Sequence, residues 1–246
     1  MLIFILVFIT GIGAGFINVI AGGGSMLTLP LLISSGIDST VANGSNRIAI
    51  LAQNIFAIKG FKSKGYKIES FHILLGLSAT IGALIGSNLA IDLNDEIFNK
   101  ILAVLLVIFI LYTLISPKYN NQKDLDLSKK KLVINTIVFF FIGIYGGFIQ
   151  AGVGLIIMGS LSAINQLNIH KINSIKVVIV ALYTLSALAT FIYFGQISWL
   201  HGCILATGNS IGGWVAGKYS SNIPEPIVKK AVLVITIGLA VKMWLN

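Results

Sequence analysis

The sequence predicts an all-α polytopic membrane protein built from two homologous modules, expected to be inverted repeats, with about eight to ten membrane segments, some short and discontinuous. Three observations carry that expectation. Of 246 residues, 56% are hydrophobic and 10% charged, whereas a soluble domain carries about 25% charged residues and needs them to cover a water-facing surface. The apolar runs are long and continuous rather than alternating with period two, which excludes a β-barrel. Lastly, the second half of the chain repeats the first.

In order, the apolar segments fall at 2–21, 25–35, 46–59, 70–91 and 96–115, then at 132–151, 154–165, 172–194, 198–217 and 227–245. Met1–Thr10 has no basic residue ahead of its apolar stretch, so the first segment reads as a retained span and not a cleaved signal peptide. Segments 25–35 and 154–165 are short for a hydrocarbon core about 30 Å thick at roughly 1.5 Å per helical residue. They are the discontinuous elements. The one long hydrophilic stretch, 116–131, separates a first module, 1–115, from a second, 132–246.

The repeat is written in glycines. Gly11-Ile12-x-Ala14-Gly15-Phe16-Ile17 matches Gly143-Ile144-x-Gly146-Gly147-Phe148-Ile149 at an offset of 132 residues (143 − 11). Asn43 with Asn173, Gly65 with Gly195, Gly82 with Gly212 and Lys100 with Lys230 match at 130 (173 − 43). Small residues four apart, such as Gly11 and Gly15 or Gly82 and Gly86, let helix backbones approach closely. An alanine at Gly82 is expected to be mild.

The net charge of +9 does not indicate nucleic acid, because the lysines sit in short loops between apolar spans. If all ten segments cross and the linker is cytoplasmic, 14 of the 17 basic residues lie inside and only Arg47, Lys100 and Lys242 lie outside. Both termini are then outside and the halves are inverted. With 25–35 and 154–165 re-entrant, the split is 10 to 7, which the charge rule favours less.

Between the first segments lie Ala21-Gly22-Gly23-Gly24-Ser25 and the polar run Ser34 to Arg47, which includes Asn43, Asn46 and Arg47. Polar, glycine-rich chain between lipid-like segments reads as the lining of a pathway or as ordinary helix packing with a surface loop. Ser25 can cap a short helix beginning at Met26, after glycines that expose backbone N–H groups, and such a helix start attracts anions. Gly152-Val153-Gly154 precedes the matching short helix. Arg47, the only arginine, and Lys176, after Asn173 in the second half, either snorkel to an interface or form a cationic ring at each end of an anion path. Gln150 corresponds to Asn18; mid-span amides such as these commonly bond a neighbouring helix.

All eight carboxylates sit in or beside loops, so no span offers a mid-depth anion to hold a cation or shuttle protons. The expected substrate is a small anion. No zinc-hydrolase, Walker or nucleophile-elbow sequence occurs. No enzyme activity, cofactor or metal is expected, and ATP is not the direct energy source. The other expected partner is the lipid bilayer; a homo-oligomer is open, as is an anion channel in place of a carrier.

Gly11-Ile12-Gly13-Ala14-Gly15-Phe16, Ala21-Gly22-Gly23-Gly24-Ser25, Leu29-Pro30-Leu31-Leu32 and Ala42-Asn43 together resemble the sulfite exporter TauE/SafE family of membrane permeases. The resemblance covers the whole chain, although the second half has a shorter glycine run and no following proline. It implies a bacterial inner-membrane, multi-pass carrier of sulfur-containing or organic anions such as sulfite and sulfonates.

Overall fold

A computed structural model describes residues 2–115, 125 and 127–219. Among these residues the fold is helical, without strands. The helices are α1 (Leu2–Ala21), α2 (Ser25–Ser34), α3 (Ser39–Lys62), α4 (Ser70–Ile91), α5 (Asp95–Ile115), α6 (Lys129–Phe148), α7 (Val153–Asn165), α8 (Ile169–Tyr193) and α9 (Trp199–Tyr219). The expected segment 227–245 and most of the hydrophilic stretch 116–131 lie outside the described residues. Helices α1, α4, α6 and α8 are long and apolar enough to cross a bilayer by length and composition, whereas α2 and α7 are short apolar helices.

The largest departure from the sequence reading is α3, which begins at Ser39 and not at residue 46. Its first turns hold the polar run, and Asn43, Ser45, Asn46 and Arg47 are completely buried. Intrinsic propensity disfavours a helix of Ser, Asn and Gly, but tertiary partners override it. Asp38 is extended, Asp95 Oδ1 accepts the Ser39 N–H at 2.9 Å, and Asn43 donates to the Phe148 carbonyl at 2.7 Å. A second departure is that α2 starts at Ser25 with Gly24 at the cap position and no side-chain cap bond, so Ser25 lies inside the helix.

The halves interlock. The most extensive helix contacts, α3 with α9, α4 with α6, α1 with α9 and α4 with α8, all join one half to the other. Two of these seams are backbone against backbone. A Cβ on Gly82 would sit 2.0 Å from the Phe140 carbonyl oxygen, and one on Gly86 would sit 1.9 Å from that of Ile144. In the α1–α9 seam a Cβ on Gly208 would lie 2.3 Å from Phe8 O, and one on Gly212 2.0 Å from Ile12 O.

Two corrections follow from these seams. Since Phe8 and Ile12 correspond to Phe140 and Ile144 at the offset of 132, the packing pairs Gly82 with Gly208 and Gly86 with Gly212. The offset here is 126 (208 − 82), one helical turn from the expected match of Gly82 with Gly212. Alanine at Gly82 is also not mild, because the atoms in its way are backbone and cannot rotate aside.

Apolar side chains cover the outside. Leu77, Ile81 and Leu89 on α4, Val104, Val107 and Leu111 on α5, and Val133, Ile137 and Phe141 on α6 are exposed. The polar side chains Asn43, Arg47, Gln53, Gln150, Asn173 and Lys176 are buried. Polar inside and apolar outside is the arrangement lipid demands.

Candidate functional site

The two discontinuities meet at the centre of the fold. Helix α1 ends at Ala21 because Gly22 adopts φ of +80°, a left-handed conformation that a side chain disfavours. Gly152, at +69°, caps α7 in the same way. A Cβ on Gly22 would fall 2.4 Å from the Gly154 carbonyl carbon, and one on Gly154 would fall 2.4 Å from Gly22 Cα. Gly22 and Gly154 are equivalent at the offset of 132, so the breaks touch through matching residues. Gly23, Gly24, Ser25 and Gly152 are buried beside them. Gly24 N–H donates to Asn18 Oδ1 at 3.2 Å.

A helix that stops inside a membrane protein leaves carbonyls unpaired and a partial negative charge at its end. At the end of α6, Arg47 Nη1 donates to Gly146 O at 3.0 Å and to Gln150 Oε1 at 3.1 Å, while Nη2 donates to Gly147 O. Asn43 Nδ2 takes Phe148 O, and Asn43 Oδ1 accepts from Arg47 Nη2 at 3.4 Å. The guanidinium also lies 4.6 Å from the ring centroid of Phe191, a cation–π contact.

At the end of α1 the second half returns the arrangement. Lys176 Nζ donates to Asn18 O at 3.0 Å, Val19 O at 2.8 Å and Asn173 Oδ1 at 2.8 Å. Asn173 Nδ2 donates to Ile20 O at 3.0 Å. Each half of the chain therefore reaches across with an asparagine and a cation to close the broken helix of the other. Neither cation lies at a surface: Arg47 is 0% and Lys176 2% exposed.

Of the residues singled out from sequence, Asn43, Arg47 and Gln150 gather at the α6 end, and Asn173 and Lys176 at the α1 end. Gly22 and Gly154 join the two groups. Asn46 stands apart on α3, where its Oδ1 accepts from Thr28 Oγ1 of α2 at 2.7 Å. Gln150 takes φ of +67°, uncommon for a residue with a side chain and costing roughly 1–3 kcal/mol. Its amide bridges Arg47 and Thr184 Oγ1, the latter at 3.3 Å.

Of the remaining polar neighbours, Gln53 and Asn18 are mid-span amides visible in the sequence, whereas Asn209, Thr28 and Thr184 carried little signal. Gln53 Oε1 accepts from Asn18 at 3.2 Å and from Asn209 at 3.4 Å. A polar residue within the apolar 198–217 run was the only available hint of Asn209. Thr28, Thr184 and Phe191 looked like ordinary helix residues.

The electrostatic balance is positive. Two cationic side chains face two helix C-termini worth about half a negative charge each, and the starts of α2 and α7 add partial positive charge. Among the described residues no Asp or Glu is buried. The buried donors without a hydrogen-bond partner among the described residues include Asn46 Nδ2, Arg47 Nε and the Tyr183 hydroxyl.

Comparison with known proteins gives a consistent set of relatives. The family model described as sulfite exporter TauE/SafE matches residues 7–243. A probable membrane transporter protein of Haemophilus influenzae is 26% identical over 97% of this chain and 93% of its own length. Another, ORF9 of a Sinorhizobium species, is 25% identical over 96% of this chain and 90% of its own. The probable membrane transporter protein YfcA of Escherichia coli K12 is 23% identical over 94% and 85%. No solved structure matches the chain.

Proposed function

Because the chain belongs to the sulfite exporter TauE/SafE family of membrane transporters, we propose that it is a secondary carrier of a small oxyanion, with sulfite or a short sulfonate as the first candidate. It works as a multi-pass protein of the bacterial inner membrane, with the linker on the cytoplasmic side. The observation that carries the anion reading is the buried charge. Arg47 and Lys176 stand at the meeting point of two broken helices with no buried carboxylate to neutralise them among the described residues. An anion arriving there gains charge-assisted hydrogen bonds, whereas a cation meets repulsion in a low dielectric.

The proposed site lies where Gly22 and Gly154 touch, bounded by Gly23, Gly24 and Ser25 on one side and by Gln150 and Gly152 on the other. Arg47 supplies the spare donor Nε, whereas Asn46, bonded to Thr28 of α2, stands outside the site. Asn43, Asn173 and Lys176 shape the site by holding the helix ends.

A stability screen on purified protein tests this. Ligand binding raises apparent stability in proportion to affinity and concentration. Sulfite or a short sulfonate is expected to raise the melting temperature saturably, and choline or sodium is not. In proteoliposomes Arg47→Gln, compared at equal folded protein, is expected to slow anion flux about tenfold or more, the loss for a charge-assisted contact of roughly 1.5–3 kcal/mol. Arg47→Lys recovers part of it, since a point charge lacks the guanidinium fork. Stabilisation by a cation alone, or unchanged anion flux in Arg47→Gln, overturns the proposal.

A further inference from the structure

The end of α1 has the coordination of an ion site. Around Lys176 Nζ stand Asn18 O at 3.0 Å, Val19 O at 2.8 Å, Asn173 Oδ1 at 2.8 Å and Met158 Sδ at 3.5 Å. Three separate helices supply these groups: α1, α8 and α7. All four ligands are neutral, and the side chain they enclose is 2% exposed. In carriers built on broken helices, the carbonyls of unwound chain and helix C-terminal ends are what hold a coupling cation such as sodium. Here a side chain of the protein occupies that position.

We propose that the end of α1 is a monovalent-cation site whose resident ion is the tethered ammonium of Lys176. The distances and ligand charge identify the class. Mg2+ and Ca2+ take oxygens at about 2.0–2.6 Å and rely on carboxylates, so this neutral, wider cage is unsuited to either. Contacts of 2.8–3.0 Å are those of an ammonium donating to oxygen. Carbonyl oxygens also hold potassium, replacing its water shell. The α6 end is different, because the planar fork of Arg47 reaches separate carbonyls in a way that no spherical ion can copy. Since its cation is covalently attached, the α1 site neither fills nor empties, and no free Na+ or K+ enters it in the native protein.

Removal of the tether tests this independently of transport. Lys176→Ala deletes Cγ, Cδ, Cε and Nζ, a vacancy matched by propylammonium. The melting temperatures of native protein and Lys176→Ala would be measured at equal ionic strength in the chloride salts of N-methylglucamine, sodium, potassium, ammonium and propylammonium. Native protein is expected to melt alike in all five. Lys176→Ala is expected to melt lower in N-methylglucamine and to recover at least half of the loss, saturably, in propylammonium, with ammonium or potassium next. A lysine that served only to fill space would be replaced no better by ammonium or potassium than by N-methylglucamine. If Lys176→Ala does not fold in N-methylglucamine, cell-free synthesis into nanodiscs with and without propylammonium decides: folded protein only with propylammonium supports the site. Failure of every cation to restore Lys176→Ala, or saturable stabilisation of the native protein by sodium or potassium, overturns it.

Discussion

The two broken helices are closed by the same device carried out with different chemistry. At the α6 end, Arg47 and Asn43 together meet the carbonyls of Gly146, Gly147 and Phe148, with Gln150 held in a left-handed conformation alongside. At the α1 end, Lys176 and Asn173 meet Asn18, Val19 and Ile20, and the backbone contributes a bond of its own from Gly22 N–H to Asn18 O at 2.9 Å. The ammonium has three donors for a compact cage, and the guanidinium has five spread over a plane. The residue type follows from how widely the acceptors are spaced. The fork also leaves Nε over, so among the described residues the α6 end retains a cationic donor that the α1 end lacks.

The strongest way to break the comparison is to remove each cation in turn. Arg47→Gln is expected to cost about 1.5–3 kcal/mol, the loss of a hydrogen bond from a charged group to a buried neutral acceptor. Lys176→Gln is expected to cost less, because Gly22 and Asn173 still hold part of the α1 end. Melting in detergent reads both, and equal losses would mean that the ends are energetically alike.

Next come the backbones of the breaks. Gly22→Ala adds a strained φ, worth about 1–2 kcal/mol, to a collision with Gly154 backbone worth about 1–3 kcal/mol. Gln150→Gly relieves strain but gives up the bond to Arg47, so its net effect is expected to be far smaller. A benign Gly22→Ala would show that the two breaks can move apart freely.

The seams sharpen the comparison at the level of the whole repeat. Gly82→Ala and Gly208→Ala each drive a Cβ into a carbonyl of the facing helix, and each is expected to lower stability by about 1–3 kcal/mol. Similar losses are expected, because Gly82 and Gly208 face corresponding carbonyls, those of Phe140 and Phe8.

The smallest effect is at the edge of the bundle. Glu69, just before α4, accepts from Lys171 and is 41% exposed. The hydrogen bond from Lys171 lowers its carboxyl below the ordinary value, against an opposing effect of burial. A lowered folded-state value means stability present above the unfolded pKa and lost as pH falls through the folded one. Melting across that acidic window is expected to differ between native protein and Glu69→Gln by less than about 1 kcal/mol, as for an exposed pair.

Much of this architecture was legible in the chain. Hydropathy located most of the helices, and their lengths marked α2 and α7 as short. What stayed hidden has one physical cause: the partners are backbone groups far away in sequence. A carbonyl carries no residue signature, so nothing beside Arg47 or Lys176 announced that each would close a helix about a hundred or more positions distant. For the same reason the polar run at residues 39–47 looked like a break and is a helix, and the weight of a glycine such as Gly82 depended on a facing carbonyl.

The most direct test of the central claim, anion carriage through this positively charged crossing, is counterflow in proteoliposomes. Vesicles loaded with unlabelled sulfite are diluted into a trace of labelled sulfite, and the label inside is followed over time. The expected result is transient accumulation above equilibrium that saturates with substrate and falls about tenfold or more in Arg47→Gln. Absence of accumulation for sulfite and every short sulfonate tried, or accumulation of a cation in their place, would contradict the account.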